Sequence, residues 1–446
     1  MVRPACHVFV RYRIVLSCLF VTVILSGCGY GGFYARQAHW QQTYTYLPSM
    51  SALNKAAPEN SLVLAGEISM LQKRHEPLLL VAISNQYREN EKVAVVQLRT
   101  DISYLAFLPP GDYDLFVFAD LDRNKDFESN ERVGQARVTI SPDQAKSGIV
   151  AAGPLITLDF EHPGKVDFHL SETVRPAGYV YASLDDEFFD PQNGVTGLYN
   201  PSELIARAQG FLFSLEDYDE NKTTILFVHG IEGTPRDWKF LVAGLDRGRF
   251  QPFFFYYPSG LPLDKLGSLL ARILETMGRS AASGHKTVLV AHSMGGLVAL
   301  SAINHLASTG LPPSLAMYCS FSAPYEGDDS IRKWIDSAPV VVPSWRDIAA
   351  PNDFLRDLTG RPFPGQLPFY LFFSYHDTSK FKLGESSDGA VTLRSQLAPP
   401  LQATASKVIG FNETHIGILN SEAARKEFLR LLETAAPSRR SVDSAQ

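Results

Sequence analysis

Cysteine is scarce in this chain of 446 residues: four in all, three of them (Cys6, Cys18 and Cys28) within the first 28 positions. The body of the sequence holds Cys319 alone, which excludes a disulfide framework. Positive charge is not in excess either, since 41 Lys and Arg stand against 47 Asp and Glu for a formal net charge of −6. That balance removes the electrostatic footprint of a nucleic-acid binder, so no nucleic-acid partner is expected. Long apolar runs are missing as well. The most apolar stretch, residues 14–25, falls short of the roughly 20 residues that a bilayer-spanning helix needs. No internal repeat and no low-complexity segment interrupts the rest. With 45% hydrophobic residues, the chain has ample material for two or more packed cores.

What is present begins with a leader. Arg3, Arg11 and Arg13 precede the apolar stretch with no acid among them, which is the layout of a secretory signal. Leu25-Ser26-Gly27-Cys28 closes it and resembles the bacterial lipobox, in which the Cys becomes the lipidated first residue of the mature chain. The resemblance implies a signal peptide over residues 1–27 and a membrane anchor at Cys28. Acyl chains contribute roughly 0.8 kcal/mol per buried CH₂, so several on one Cys hold firmly. Gly29 follows where an inner-membrane retention signal has Asp, which points to the outer membrane and a site facing the periplasm. In that oxidising space, Cys319 within the apolar run 315–321 is expected to be a buried small hydrophobe.

Residues 28–61 open rich in Tyr and Gln, with a helix expected near the anchor, and loosen into a linker. From 62 to 175 short alternating or apolar runs (62–65, 78–83, 93–98 and 113–119) are separated by turn residues, the pattern of an all-β sandwich-like domain. Pro109-Pro110-Gly111-Asp112-Tyr113, followed by Leu115, Val117 and Ala119 on one face, resembles transthyretin-like or carboxypeptidase-regulatory sandwich modules found beside envelope enzymes. An acidic loop comes next. Asp120, Asp122, Asn124, Asp126, Glu128 and Glu131 occupy positions 1, 3, 5, 7, 9 and 12 of a calcium-loop spacing. Lys125 stands where an EF-hand has Gly, and no helices flank the loop. Two readings stay open: a solvated acidic hairpin, or a weak structural Ca²⁺ site on Asp120, Asp122, Asn124, Asp126 and Glu131. Residues 176–222, with Pro176, Pro191, Pro201 and an acidic patch at 185–187, are read as a connector, and 436–446 as a disordered tail.

From 223 the texture changes. Apolar strands at 224–228, 253–257, 287–290, 315–320, 369–374 and 406–410 alternate with helices at 236–245, 266–277, 295–307 and 422–433. Leu266, Leu269, Leu270, Ile273, Leu274 and Met277 repeat at helical period. The interleaving predicts an α/β fold with a doubly wound, mostly parallel sheet over 223–435. Residues 325–367, with Trp334, Pro343, Trp345 and Pro351, read as an irregular insertion serving as a lid or an interaction surface. The aromatic run 253–257 is read as core or as lining for an acyl chain.

One stretch carries chemistry. In 287–296 an apolar strand runs into Ala291-His292-Ser293-Met294-Gly295-Gly296 and then a helix, the context of a nucleophile elbow. The turn needs small residues two before and two after the Ser, because strand and helix pack closely there. A Ser needs a base and an orienting acid. His415 follows the strand 406–410 and is the expected base; His376 is a poorer second, and His292 is expected to pack. For the acid, Asp388 in Ser386-Ser387-Asp388-Gly389-Ala390-Val391 and Asp377 after the strand 369–374 both qualify by position. At the end of the first strand, Val228-His229-Gly230-Ile231 offers backbone amides, so Ile231 and Met294 are the expected oxyanion donors.

Val-His-Gly-Ile together with Ala-His-Ser-Met-Gly-Gly is similar to small bacterial triacylglycerol lipases, and residues 223–435 resemble the lipase and esterase branch of the α/β-hydrolase superfamily. Ser-Asp-Gly-x-Val resembles the segment that carries the acid in true lipases, which implies Asp388 rather than Asp377. The resemblance implies a serine hydrolase acting on carboxylic esters, with an ester or lipid as substrate and no cofactor for catalysis. Acyl transfer or thioester cleavage on the same three residues, and a non-catalytic envelope scaffold, are the alternatives. The sequence names no protein partner.

Overall fold

The computed structural model of the chain describes residues 61–70, 76–84, 92–98, 103–147, 150–173, 183–208, 211–216, 218–280, 284–335, 341–376 and 386–435. The leader with Cys28, the segment expected to carry a helix near it, Asp377 and the tail 436–446 lie outside the described residues. Among the described residues no helix is long and apolar enough to cross a membrane.

Residues 62–173 contain strands β1 (Leu62–Met70), β2 (Leu78–Ile83), β3 (Lys92–Gln97), β4 (Ser103–Leu108), β5 (Gly111–Ala119), β6 (Asp126–Glu128), β7 (Arg132–Ile140), β8 (Val150–Ala152), β9 (Ile156–Leu158) and β10 (Ser171–Thr173). One sheet runs β4-β1-β8 with β9 also on β1, and the other runs β3-β2-β5-β7. Strand periodicity sends alternate residues to opposite faces. Tyr113, Leu115, Val117 and Ala119 of β5 therefore meet Leu62 and Leu64 of β1, with Tyr104 and Ala106 of β4, in one core between the sheets. Phe116 and Phe118 point the other way and are covered by Phe168, Val166 and Leu170.

The second half is a seven-stranded sheet in the order β11-β13-β12-β14-β15-β16-β17. Its strands are β11 (Leu212–Ser214), β12 (Thr223–Val228), β13 (Phe250–Phe255), β14 (Thr287–His292), β15 (Leu315–Phe321), β16 (Phe369–Ser374) and β17 (Lys407–Phe411). Every pairing is parallel except that of β11 with β13. Both faces are covered, which is why the strands read as continuous apolar runs. Leu226, Val228, Leu289 and Ala291 face helices Leu263–Ser280 and Met294–Thr309. Ile225, Phe227, Val288 and Val290 face Trp238, Leu241, Phe428 and Leu431 on the opposite side. Cys319 lies in that second core, and burial pushes its thiol well above the ordinary range.

Two segments differ from expectation. The connector is not a linker: Pro191–Tyr199 and Pro201–Ala208 are helices, and β11 extends the large sheet at its edge. Phe188, Phe189 and Phe213 sit in the same core as Trp238. The described residues of the insertion include helices Asp329–Ile335, Pro343–Ile348 and Asp353–Gly360. Ile348, Leu355, Leu358, Phe363 and Leu367 belong to the main core, and Trp345 packs edge-on against Tyr199. The two halves also share a core: Val63 of β1 and Phe107 of β4 join Ile205, Phe211 and Leu266. Lys265 Nζ donates to the carbonyls of Ser61 and Ala145 across the same junction.

Candidate active site

The site lies at the carboxyl edge of the parallel sheet, where loops leave β12, β14, β16 and β17. All six residues of β14 are buried, and the strand ends on Ser293 at φ 53°, ψ −131°, from which the helix Met294–Thr309 starts at once. A non-glycine residue at positive φ is strained, and the packing around it explains why the strain persists. A Cβ on Gly295 would lie 2.3 Å from the His229 carbonyl oxygen, and one on Gly296 would lie 2.3 Å from the Ala323 Cβ. The glycines let the helix sit against the end of β12, and that close seat holds the Ser outward.

Ser293 Oγ is 2.8 Å from His415 Nε2, and His415 Nδ1 is 2.8 Å from Asp388 Oδ2. The carboxylate accepts from Nδ1–H, which leaves Nε2 free to accept the Ser proton. Asp388 is 1% exposed yet fully engaged. Its Oδ2 also accepts from the Ser374 hydroxyl at 2.7 Å and Gln396 Nε2 at 3.2 Å, and its Oδ1 from the amides of Ala390 and Val391. Burial acts to raise this carboxyl, but the bond to His415, the His charge, the Val391 amide and the Ser374 hydroxyl outweigh it and hold it below the ordinary range. The His415 amide donates to the Asp388 carbonyl at 3.0 Å, so one residue anchors both ring and backbone of the other.

His229, 2% exposed, donates from Nδ1 to the Gly230 carbonyl at 2.8 Å and accepts the Tyr257 amide on Nε2 at 3.2 Å. Tyr257 stacks on the ring at 4.2 Å and donates its hydroxyl to the His229 carbonyl at 2.6 Å. In a trans peptide the Gly230 carbonyl and Ile231 N–H point in opposite directions, so fixing the first aims the second. A Cβ on Gly230 would come within 3.0 Å of the Ser293 Cβ, which places this loop directly beside the Ser. Neither the Ile231 amide nor the Met294 amide meets an acceptor among the described residues.

Residues 225–415 match the model of the alpha/beta hydrolase family. The C-terminal domain has the α/β-hydrolase fold. Among solved structures, the mature lipase BlEst2 of Bacillus licheniformis is similar with a TM-score of 0.40 and 20% identity, over 50% of this chain and 98% of that one. Lipase B of Aspergillus fumigatus gives 0.39 and 16% identity over 54% and 60%. A serine-to-alanine mutant of the type II thioesterase YbtT of the yersiniabactin pathway gives 0.34 and 16% identity over 51% and 98%. No curated protein matches the sequence.

The C-terminal domain thus brings Ser293, His415, Asp388 and the amides of Ile231 and Met294 to one place. His376 instead pairs with Asn412 at 3.1 Å and takes no part. His292 does more than pack: its Nε2 donates to the His415 carbonyl at 2.9 Å and so ties the base's loop to the elbow. Sequence reading misses this contact, together with Ser374 and Gln396: the elbow motif that contains His292 does not specify its partner, and the other two stand in no motif. In the sandwich domain the residues of the expected metal set are only partly brought together. Asp120, Asp122 and Glu131 converge, while Asp126 lies outside the group, and exposed Asn124 bonds back to Asp122 and Glu128. Pairing of β6 with β10 sets the strand that starts at Asp126, whose side chain is exposed.

Burial pushes His229 down to about 4 and His292 down to about 3, so both are neutral in the folded protein. Unfolded, each titrates near 6.5. The unfolded chain therefore binds more protons between these values, and stability is full above pH ~6.5 and falls as the pH drops towards 4 and then 3. Each is worth a few kcal/mol at most, taking about 1.4 kcal/mol per tenfold change in proton affinity. Urea midpoints measured from pH 7.5 to 4 are expected to decline, and the decline is expected to flatten in a His229→Gln/His292→Gln double variant. An equally steep decline in that variant would assign the acid sensitivity elsewhere.

Proposed function

We propose that the chain is a serine hydrolase that cleaves carboxylic esters at the bacterial cell envelope. The observation that carries this reading is the continuous relay from Ser293 Oγ through His415 to Asp388, with two unengaged amides beside it. Ser293 attacks the acyl carbonyl while His415 Nε2 takes its proton, and the imidazolium is stabilised by the ionised Asp388. The tetrahedral oxyanion is held by the N–H groups of Ile231 and Met294. Loss of one such donor typically costs about 10²–10³ in rate. The ester C–O bond then breaks, and His415 returns the proton to the leaving alcohol. Water, deprotonated by His415, attacks the acyl-Ser293 ester, and the acid leaves as Ser293 regains its proton.

The envelope location rests on the leader and the Cys28 motif, with acyl chains on Cys28 as the membrane anchor. Full chain expressed with its leader is expected in the membrane fraction, labelled by a fluorophosphonate probe and hydrolysing p-nitrophenyl esters. Cys28→Ser is expected to move that activity to the soluble fraction. Product analysis with added alcohol separates hydrolysis from acyl transfer: free acid should dominate. A chain that takes no label and cleaves no ester across short to long acyl chains would leave the hydrolase reading without support.

A further inference from the structure

The acidic loop between β5 and β7 buries a carboxylate oxygen that meets no hydrogen-bond donor among the described residues. Asp120 at the end of β5 is 3% exposed, and Glu131, directly before β7, is 4% exposed. The loop closes on itself, so that residues eleven positions apart meet beside Asp122. No Lys, Arg or His pairs with these three carboxylates among the described residues; Arg123, the cation within the loop closest to Asp122 in sequence, lies towards Glu76. Glu131 accepts the amides of Leu121 and Glu128 at 2.8 and 3.0 Å. Asp120 Oδ1 is buried and has no hydrogen-bond partner.

A buried carboxylate oxygen without a partner carries its full desolvation penalty, which proteins otherwise avoid. Asp388, equally buried, shows the contrast, because five donors converge on it. We infer that Asp120, Asp122 and Glu131 bind a Ca²⁺ ion that locks the β5–β7 loop of the sandwich domain. One carboxylate oxygen from each lies within 4.8 Å of the other two. Oxygens sharing a Ca²⁺ at 2.3–2.6 Å cannot be more than about 5 Å apart, so the three already have the spacing of a common ligand shell. The donors are all hard oxygens with no His or Cys in the group, which favours Ca²⁺ over zinc or copper. Three carboxylates brought together on a loop suit its flexible, higher coordination better than the strict octahedron of Mg²⁺.

The ion's task is structural. It would join the end of β5 to the start of β7 across a loop whose outer arm, β6, is already paired with β10. Full-length protein freed of metal with EDTA is expected to bind one Ca²⁺ per chain by calorimetry, with Mg²⁺ far weaker. Thermal melting is expected to rise by several degrees at saturating Ca²⁺. Asp122→Asn removes an exposed carboxylate and should weaken binding at least tenfold without disturbing the fold. Asp120→Asn should abolish the Ca²⁺-dependent rise, yet melt no lower than wild type in EDTA, because the carboxylate it replaces has a buried oxygen without a partner. Asp126→Asn, outside the cluster, should bind as wild type does. Absence of saturable Ca²⁺ binding, or wild-type binding by both Asp122→Asn and Asp120→Asn, would overturn the proposal.

Discussion

Ser293→Ala is expected to lose all fluorophosphonate labelling and to drop ester turnover by about 10⁴–10⁶-fold. The size of the effect follows from the geometry. His415 Nε2 has one acceptor role, towards the Ser293 hydroxyl at 2.8 Å, and without that oxygen no acyl-enzyme forms. The oxyanion amides remain, so some rate above the uncatalysed reaction survives. Folding should be untouched, because Ala fits the elbow and the Ser hydroxyl serves no buried partner except His415. Equal urea midpoints for wild type and variant, together with the lost turnover, separate chemistry from stability. Undiminished hydrolysis would mean that the relay is not the catalytic machinery.

Asp388→Asn is expected to cost about 10⁴-fold in turnover near neutral pH. Asn presents an NH₂ where the carboxylate accepts from Ser374, Gln396 and His415. A donor opposite His415 Nδ1 favours the tautomer protonated at Nε2, which cannot take the Ser proton. The substitution also sets Gln396 and the Ser374 hydroxyl against a donor, so a loss of stability should accompany the loss of rate. Asp377→Ala provides the comparison and should retain turnover within about tenfold of wild type. If Asp377→Ala instead lost far more turnover than Asp388→Asn, the acid would have to be reassigned.

The elbow is legible in the sequence because steric demands there restrict residue type: Gly295 and Gly296 leave no room for a side chain, and Ala291 is fully buried. His415 and Ile231 are legible because each follows a strand that ends at the same sheet edge. Asp388 needs the resemblance of its segment, since Asp377 stands at an equally good place by spacing. The partners of Ser374, Gln396 and His292 leave no trace, because a single polar residue acquires its partner only when separate strands are brought together. The connector misleads for a different reason. Pro191 and Pro201 look like breakers, yet each opens a helix at its first position, as Pro343 does in the insertion, where the missing N–H is no loss. In the acidic loop, residues two apart share an orientation only while the backbone stays regular. There Arg123 at φ 61° and Lys125 at φ 72° turn the backbone, and among the carboxylates Asp120, Asp122 and Glu131 converge while Asp126 and Glu128 stay outside that group.

The junction through Val63 and Phe107 makes the two halves dependent on each other. Each of these side chains adds roughly 1.5–3 kcal/mol by leaving water, and both do so against Ile205 and Phe211, which belong to the segment that also supplies β11. Excising residues 223–435 as a minimal enzyme would strip away the antiparallel edge strand and lay bare a greasy seam. The N-terminal half is therefore part of the packing that closes the large sheet rather than a detachable passenger.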